Sequence, residues 1–210
     1  MPYHAVYLNA FWMDKYEVTN EQYAGCVSAG ACSVPNATGS AMKTSYYGNS
    51  LYNRYPVLHV DWYQSSDYCA WAGGRLATEA EWEKAARGDD GRVYPWGNQS
   101  PTCQRANMDV NGECVSDTVA VGSYPTGASP YGIMDLAGNV EEWVSDWIDT
   151  EYYQYSPYEN PQGAATGDAR GVRGGSWYDI ARYVRTSMRW WRKPYQSSNK
   201  IGFRCVMDAP

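Results

Sequence analysis

Beyond Gly88 the chain offers no run periodic and long enough for an amphipathic helix. Short apolar pieces alternate with clusters of Gly, Pro, Asn and Ser. That punctuation limits the fold most, because backbone outside regular elements must be held by turns, side-chain hydrogen bonds and cross-links. The 20 Gly and 11 Pro exclude a helical bundle. No apolar run approaches the roughly 18 residues of a membrane-spanning helix, so no membrane insertion is expected. The aromatic content is lopsided, with 20 Tyr and 10 Trp against 2 Phe. Tyrosine and tryptophan join an apolar body to a polar tip, which suits a core that opens onto wet surfaces.

Helix signals are confined to the first half. Thr19 and Gln22 form a capping box, Tyr23 and Val27 share a face, and Gly30 stops the helix. Asp61 caps a second helix, Trp62 to about Ala72, ended by Gly73-Gly74. Thr78 and Glu81 form another capping box, with Trp82, Ala85 and Ala86 on one face and Gly88 as the stop. Strands are expected over Tyr3–Met13 and Pro56–Val60, and a surface loop over 33–55. No repeat or linker interrupts the chain. The reading is one α+β domain over 1–210.

Six cysteines, at 26, 32, 69, 103, 114 and 205, invite a disulfide framework. Zinc competes, but no Cys-x-x-Cys spacing occurs and the 2 histidines, His4 and His59, stand far from every pair. Disulfides imply an oxidising compartment, so the domain is expected outside the cytoplasm or at the cell surface, with a leader removed ahead of Met1. The charge is uneven. Nine of the 17 basic residues lie between Arg170 and Arg204, where Asp179 is the single acid, within a chain of net charge -6. Either they form a cationic recognition surface or they fold back onto carboxylates of the acidic helices. The second reading carries more weight, and no nucleic-acid partner is expected.

Several segments resemble the sulfatase-modifying-factor family, whose best-known members are formylglycine-generating enzymes. They are Tyr16-Glu17-Val18-Thr19-Asn20, Cys69-Ala70-Trp71-Ala72-Gly73-Gly74-Arg75-Leu76, Thr78-Glu79-Ala80-Glu81-Trp82-Glu83 and Tyr94-Pro95-Trp96-Gly97. Ala137-Gly138-Asn139-Val140-Glu141-Glu142-Trp143, Arg173-Gly174-Gly175-Ser176-Trp177 and Ile201-Gly202-Phe203-Arg204-Cys205 complete the order. The resemblance implies an elaborated C-type-lectin-like fold, with two to three helices and a small twisted antiparallel sheet. Ala77 departs from the family's usual proline, and the chain starts after the family's first strand. The resemblance also implies a Cys69–Cys205 disulfide, leaving Cys26 with Cys32 and Cys103 with Cys114.

The same resemblance places calcium on Asp135, Glu142 and the carbonyls of Gly138 and Val140. A second calcium would fall on Asn107 and the carbonyl of Met108, continuing near Glu113 and Val115 where the segment is shortened. Calcium takes six to eight oxygens, and a Gly-Asn turn can aim carbonyls inward. The alternative is that Glu142 pairs with a C-terminal arginine. The family's copper(I) is held by two cysteines after the Arg-Gly-Gly-Ser motif, at positions occupied here by Asp179 and Val184. The superfamily's iron enzymes use three histidines. Neither copper nor iron is expected, and no catalytic residue is assigned.

The resulting expectation is a non-catalytic domain binding a protein or small-molecule ligand through residues 177–200. Its surface would be Tyr178, Asp179, Ile180, Tyr183, Met188, Trp191, Tyr195, Gln196 and Ser198, with Trp177 and Trp190 in the core. Variable proteins of diversity-generating retroelements have a similar fold and diversify this segment. The alternative is an oxidoreductase of the same family acting on a cysteine-containing peptide.

Overall fold

The computed structural model describes residues 4–112 and 114–210. The three helices lie where their caps place them: α1 (Asn20–Ser28), α2 (Trp62–Trp71) and α3 (Glu79–Arg87). Each opens on a complete capping box, Thr19 with Gln22, Asp61 with Gln64, and Thr78 with Glu81. Such a cap satisfies amides that the first turn leaves free, and losing one costs about 1 kcal/mol. In α3 the acids stand in the first turn and Lys84 and Arg87 in the last, in line with the helix dipole.

The strands are short and form two sheets rather than one. β1 (Phe11–Met13), β2 (Arg75–Leu76) and β7 (Cys205–Asp208) build an antiparallel sheet in the order β1-β7-β2. β3 (Glu141–Trp147), β4 (Arg170–Arg173), β5 (Trp190–Arg192) and β6 (Ile201–Gly202) build the other, in the order β5-β4-β3-β6. Its β3–β6 pair is parallel, with Glu141 opposite Ile201 and Glu142 opposite Gly202. The expected early strand is thus reduced to Phe11–Met13, while Met1 to Tyr3 lie outside the described residues. Pro56–Val60 is not a strand either: Pro56 makes one bridge to Thr19. Proline has no amide to donate, so a ladder could not continue there.

The main core packs Tyr23, Tyr68 and Phe203 against Trp143, Val172 and Ile201. Tyr23 and Tyr68 stack at 5.6 Å, and both meet Phe203 edge-on. The Cys69–Cys205 disulfide joins α2 to β7 inside this core, and Cys26–Cys32 and Cys103–Cys114 clip two loops. Four of the C-terminal arginines, Arg173, Arg189, Arg192 and Arg204, fold back onto acids as the simpler reading of the charge has it, while Arg182 and Arg185 stay exposed. Arg204 is 1% exposed and Arg173 sits among Glu79, Glu83 and two carbonyls.

Candidate active site

The site is built where β4 ends. Gly174 and Gly175 both take positive φ and turn the chain back on itself; a Cβ at Gly175 would lie 2.9 Å from Val184 and 3.0 Å from the Tyr183 carbonyl. Ser176 then donates its amide and hydroxyl to Asp179 Oδ2, at 2.9 and 2.7 Å, and the Asp179 amide returns to the Ser176 carbonyl. This tight turn projects Tyr178 outward, 60% exposed, while Trp177 is buried with its indole on the Asn199 carbonyl.

A cleft of about 300 Å³ opens beside the turn, with Glu141, Tyr178, Asp179, Tyr183, Trp190 and Lys200 among its walls. Glu141 is mostly buried and accepts from Arg192 Nε at 2.8 Å. Burial pushes its carboxyl up, Arg192 opposes the rise, and Asp179 adds to it. Lys200 holds its ammonium 3.4 Å from the centre of the Tyr178 ring. The cleft thus combines a mostly buried carboxyl, a cation and aromatic walls. That set can bind a polar peptide segment and move a proton at it.

Of the residues read from the sequence, Tyr178, Asp179, Tyr183 and Met188 line the cleft. Ile180, Trp191 and Tyr195 are exposed outside it. Gln196 caps the Lys193 amide and Ser198 Oγ accepts from the Lys200 amide, so both serve the local turn. Trp190 is not in the core: it is 46% exposed, stacked on Trp191 at 5.1 Å, because β5 is the sheet's edge. Glu141, Arg192 and Lys200 were not singled out. Alternation along β3 was the available signal, since it must send Glu141 and Glu142 to opposite faces.

The copper positions do not supply thiolates. The Asp179 carboxylate is engaged by Ser176, Val184 is fully buried among apolar side chains, and all six cysteines are in disulfides. These residues do not fit copper(I) held by two thiolates. Around the first expected calcium position, Glu142 Oε1 and Oε2 accept from Arg204 at 2.7 Å, and Oε2 also accepts from the Trp82 indole. Asp135 Oδ2 accepts from the Gly122 amide. Gly138 takes positive φ, and a Cβ there would stand 2.2 Å from the Asn107 carbonyl. Val140 and Asn139 donate to Glu17, which burial and the nearby Asp135 and Glu142 push well up. Among the described residues no three His, Cys, Asp or Glu side chains gather as a metal set. At the second position Asn107 Nδ2 donates to the Asp117 carbonyl and Asn139, Met108 lies in an apolar cluster, and Glu113 lies outside the described residues. The unforeseen Asp117 accepts from Lys43 at 2.7 Å.

With this geometry in place the relatives are informative. The sulfatase-modifying factor enzyme 1-like domain matches residues 1–209, and the chain belongs to that family. The formylglycine-generating enzyme of Streptomyces coelicolor is 35% identical over 258 residues, covering 99% of this chain and 81% of that enzyme. The hercynine oxygenase of Mycolicibacterium thermoresistibile is 40% identical over 164 residues, 73% of this chain and 36% of that protein. The serine/threonine-protein kinase pkn1 of Chlamydia caviae is 35% identical over 227 residues, 98% of this chain. The chain spans about a third of that protein's length, 34%. Among solved structures, Treponema denticola variable protein 1 superposes with a TM-score of 0.78 over 98% of this chain and 87% of its own, at 24% identity, which shows a shared fold.

These matches correct the expectation of a non-catalytic binding domain. The similarity to enzymes runs through nearly the whole chain, and the likeness to a variable protein extends to architecture alone. Among the described residues no helix is long and apolar enough to cross a membrane.

Proposed function

We propose that this chain is an oxidoreductase of the sulfatase-modifying factor family that takes a cysteine-containing peptide in the Glu141–Lys200 cleft. The observation that carries it is position. The cleft lies between the Gly174–Asp179 turn and the start of β6, inside a chain matched end to end by a formylglycine-generating enzyme. Tyr178 and Trp190 supply flat faces for the peptide, Lys200 and Arg192 attract its carbonyl oxygens, and Glu141 accepts the proton of the substrate thiol, with dioxygen as the oxidant that takes the electrons of the resulting thiolate. No step through copper is derived, because the donor set does not fit it. The test exposes a synthetic cysteine peptide to the purified chain under air, with and without added copper or iron. Mass change and oxygen uptake are expected, both lost in Glu141→Gln. An unaltered peptide under every condition refutes the reading.

Two further readings accompany it. Three disulfides support an extracytoplasmic or surface location. We also propose, from the family resemblance alone, a calcium ion near the Asp135–Glu142 loop. Because Glu142 is committed to Arg204, Asp135 and loop carbonyls would be the principal ligands. A melting temperature that chelation leaves unchanged would remove calcium from the account.

A further inference from the structure

The cleft does not exhaust the cavities. Met188 lines it, but its neighbours Ser187 and Arg189 line a larger cavity of about 790 Å³ between α3, residues 4–8 and the Tyr152–Pro161 stretch. Most charged groups on its walls are paired: Arg189 with Glu79, Arg87 with Glu83, Lys84 with Asp89. Asp146 differs. It is 5% exposed and has no ion pair among the described residues. Its Oδ2 accepts from the Glu79 amide at 2.7 Å and the Ser145 hydroxyl at 3.2 Å, while Oδ1 has no hydrogen-bond partner among the described residues. A buried carboxylate without a counter-charge is costly, and its cost is relieved by a cation.

The other walls leave that ligand sign unopposed. Glu79, Glu83 and Asp89 are balanced by the cavity's own arginines and lysine, so Asp146 is the charge left over among its described walls. Tyr152 and Tyr153 add aromatic surface, with Tyr153 steadied by Arg189 at 4.4 Å and by the His4 ring at 4.8 Å. We propose that this cavity binds an alkylammonium group, such as a lysine side chain or an amine terminus. The ammonium pairs with Asp146 Oδ1 and the alkyl stem lies along the tyrosines.

Proton linkage gives the site a signature. Burial, with Glu79 next in importance, pushes the Asp146 carboxyl up to about 7. The charged and titratable groups around it are Glu79 from α3, Arg170 from β4, Arg189 from the segment before β5, and Tyr152; His4 stands on the same cavity wall. An ammonium ligand binds the ionised form, so binding releases a proton and tightens as pH rises through this range.

The experiment titrates the whole chain with n-butylammonium by calorimetry and by NMR of the tyrosine ring signals, at pH 6 and pH 8. Saturable binding about tenfold tighter at pH 8 is expected, because the carboxyl is mostly protonated at pH 6. Asp146→Asn should weaken binding at least about tenfold, the loss expected for a charged partner, and should flatten the pH dependence. Butyrate should not bind. Absence of binding by the unaltered chain, equal binding by Asp146→Asn, or equal binding of butyrate each overturns the proposal. If Asp146→Asn fails to fold, the pH dependence of the unaltered chain and the shifts of Tyr152 and Tyr153 still decide: no change in either overturns it.

Discussion

Glu141 and Glu142 are neighbours on β3, and each accepts from an arginine at nearly the same distance, 2.8 and 2.7 Å. Their surroundings could hardly differ more. Glu142 is fully buried, and Arg204, itself 1% exposed, spends its remaining donors on the carbonyls of Asp14, Lys15 and Met134. That arrangement ties β7 to the chain entering α1 and to the loop before β3. Glu141 faces the cleft, its arginine is partly exposed, and Asp179 and Lys200 stand close enough to perturb it. A carboxylate–arginine pair is therefore sealed on one face of the strand and open to the cleft on the other. A sealed pair is fixed by the cost of leaving either member alone, whereas an open pair keeps a carboxyl that can gain and lose a proton.

That contrast can be broken in several places. The sealed side also carries Cys205, whose disulfide to Cys69 spans 136 residues. Replacing both cysteines by serine should cost about 4 to 5 kcal/mol in the chain-entropy description, read from urea unfolding of the two proteins. Arg204→Met should destabilise by about 3 to 5 kcal/mol, because it strands Glu142. Adding Glu142→Leu should recover much of that loss, and a failure to recover would show that the pair itself is essential.

Asp146 tests a third arrangement, a buried carboxyl with no arginine. Its raised titration means that stability present below the ordinary aspartate range is lost as pH rises toward about 7. The change is on the order of 4 kcal/mol, and Asp146→Asn should flatten it in melting curves across that window. Arg192→Met should be the mildest, about 1 to 3 kcal/mol, because Arg192 is partly exposed although Glu141 is mostly buried. On the proposed activity its effect is larger: without Arg192 the Glu141 carboxyl rises further, which would move the acidic limb of the proposed peptide turnover to higher pH. A stability loss as large as that of Arg204→Met would erase the distinction between the two faces.

Much of the fold is legible in local chemistry. Thr19 and Thr78 announce α1 and α3 because a capping box is complete within four residues, and Asp61 does the same for α2. The inward turn of Arg173, Arg189, Arg192 and Arg204 also follows from composition, since their partners are the acids of α3 and β3. The strands were less legible. Two-residue pieces such as Arg75–Leu76 and Ile201–Gly202 acquire their pairing from partners far along the chain. Trp190 was misplaced for the same reason: its exposure depends on β5 lying at a sheet edge, which no local pattern encodes.

The site divides along similar lines. The segment from Arg173 to Trp177 marks the turn beside the cleft, which Tyr178, Asp179, Tyr183 and Met188 line. Glu141 and Lys200 join them only because β3 and β6 run parallel, with Glu141 opposite Ile201. The cavity around Asp146 had no trace in the sequence, since Glu79, Asp146, Tyr153 and Arg189 are scattered over more than half its length.

Sequence alone determined the helices, the family and the absence of a thiolate pair at Asp179 and Val184, because each is a matter of residue identity at short range. Tertiary structure decided which of two adjacent glutamates is sealed, which tryptophan is exposed and which aspartate lacks a counter-charge. Those outcomes depend on burial and on the field of distant groups, and both arise only when the chain closes on itself.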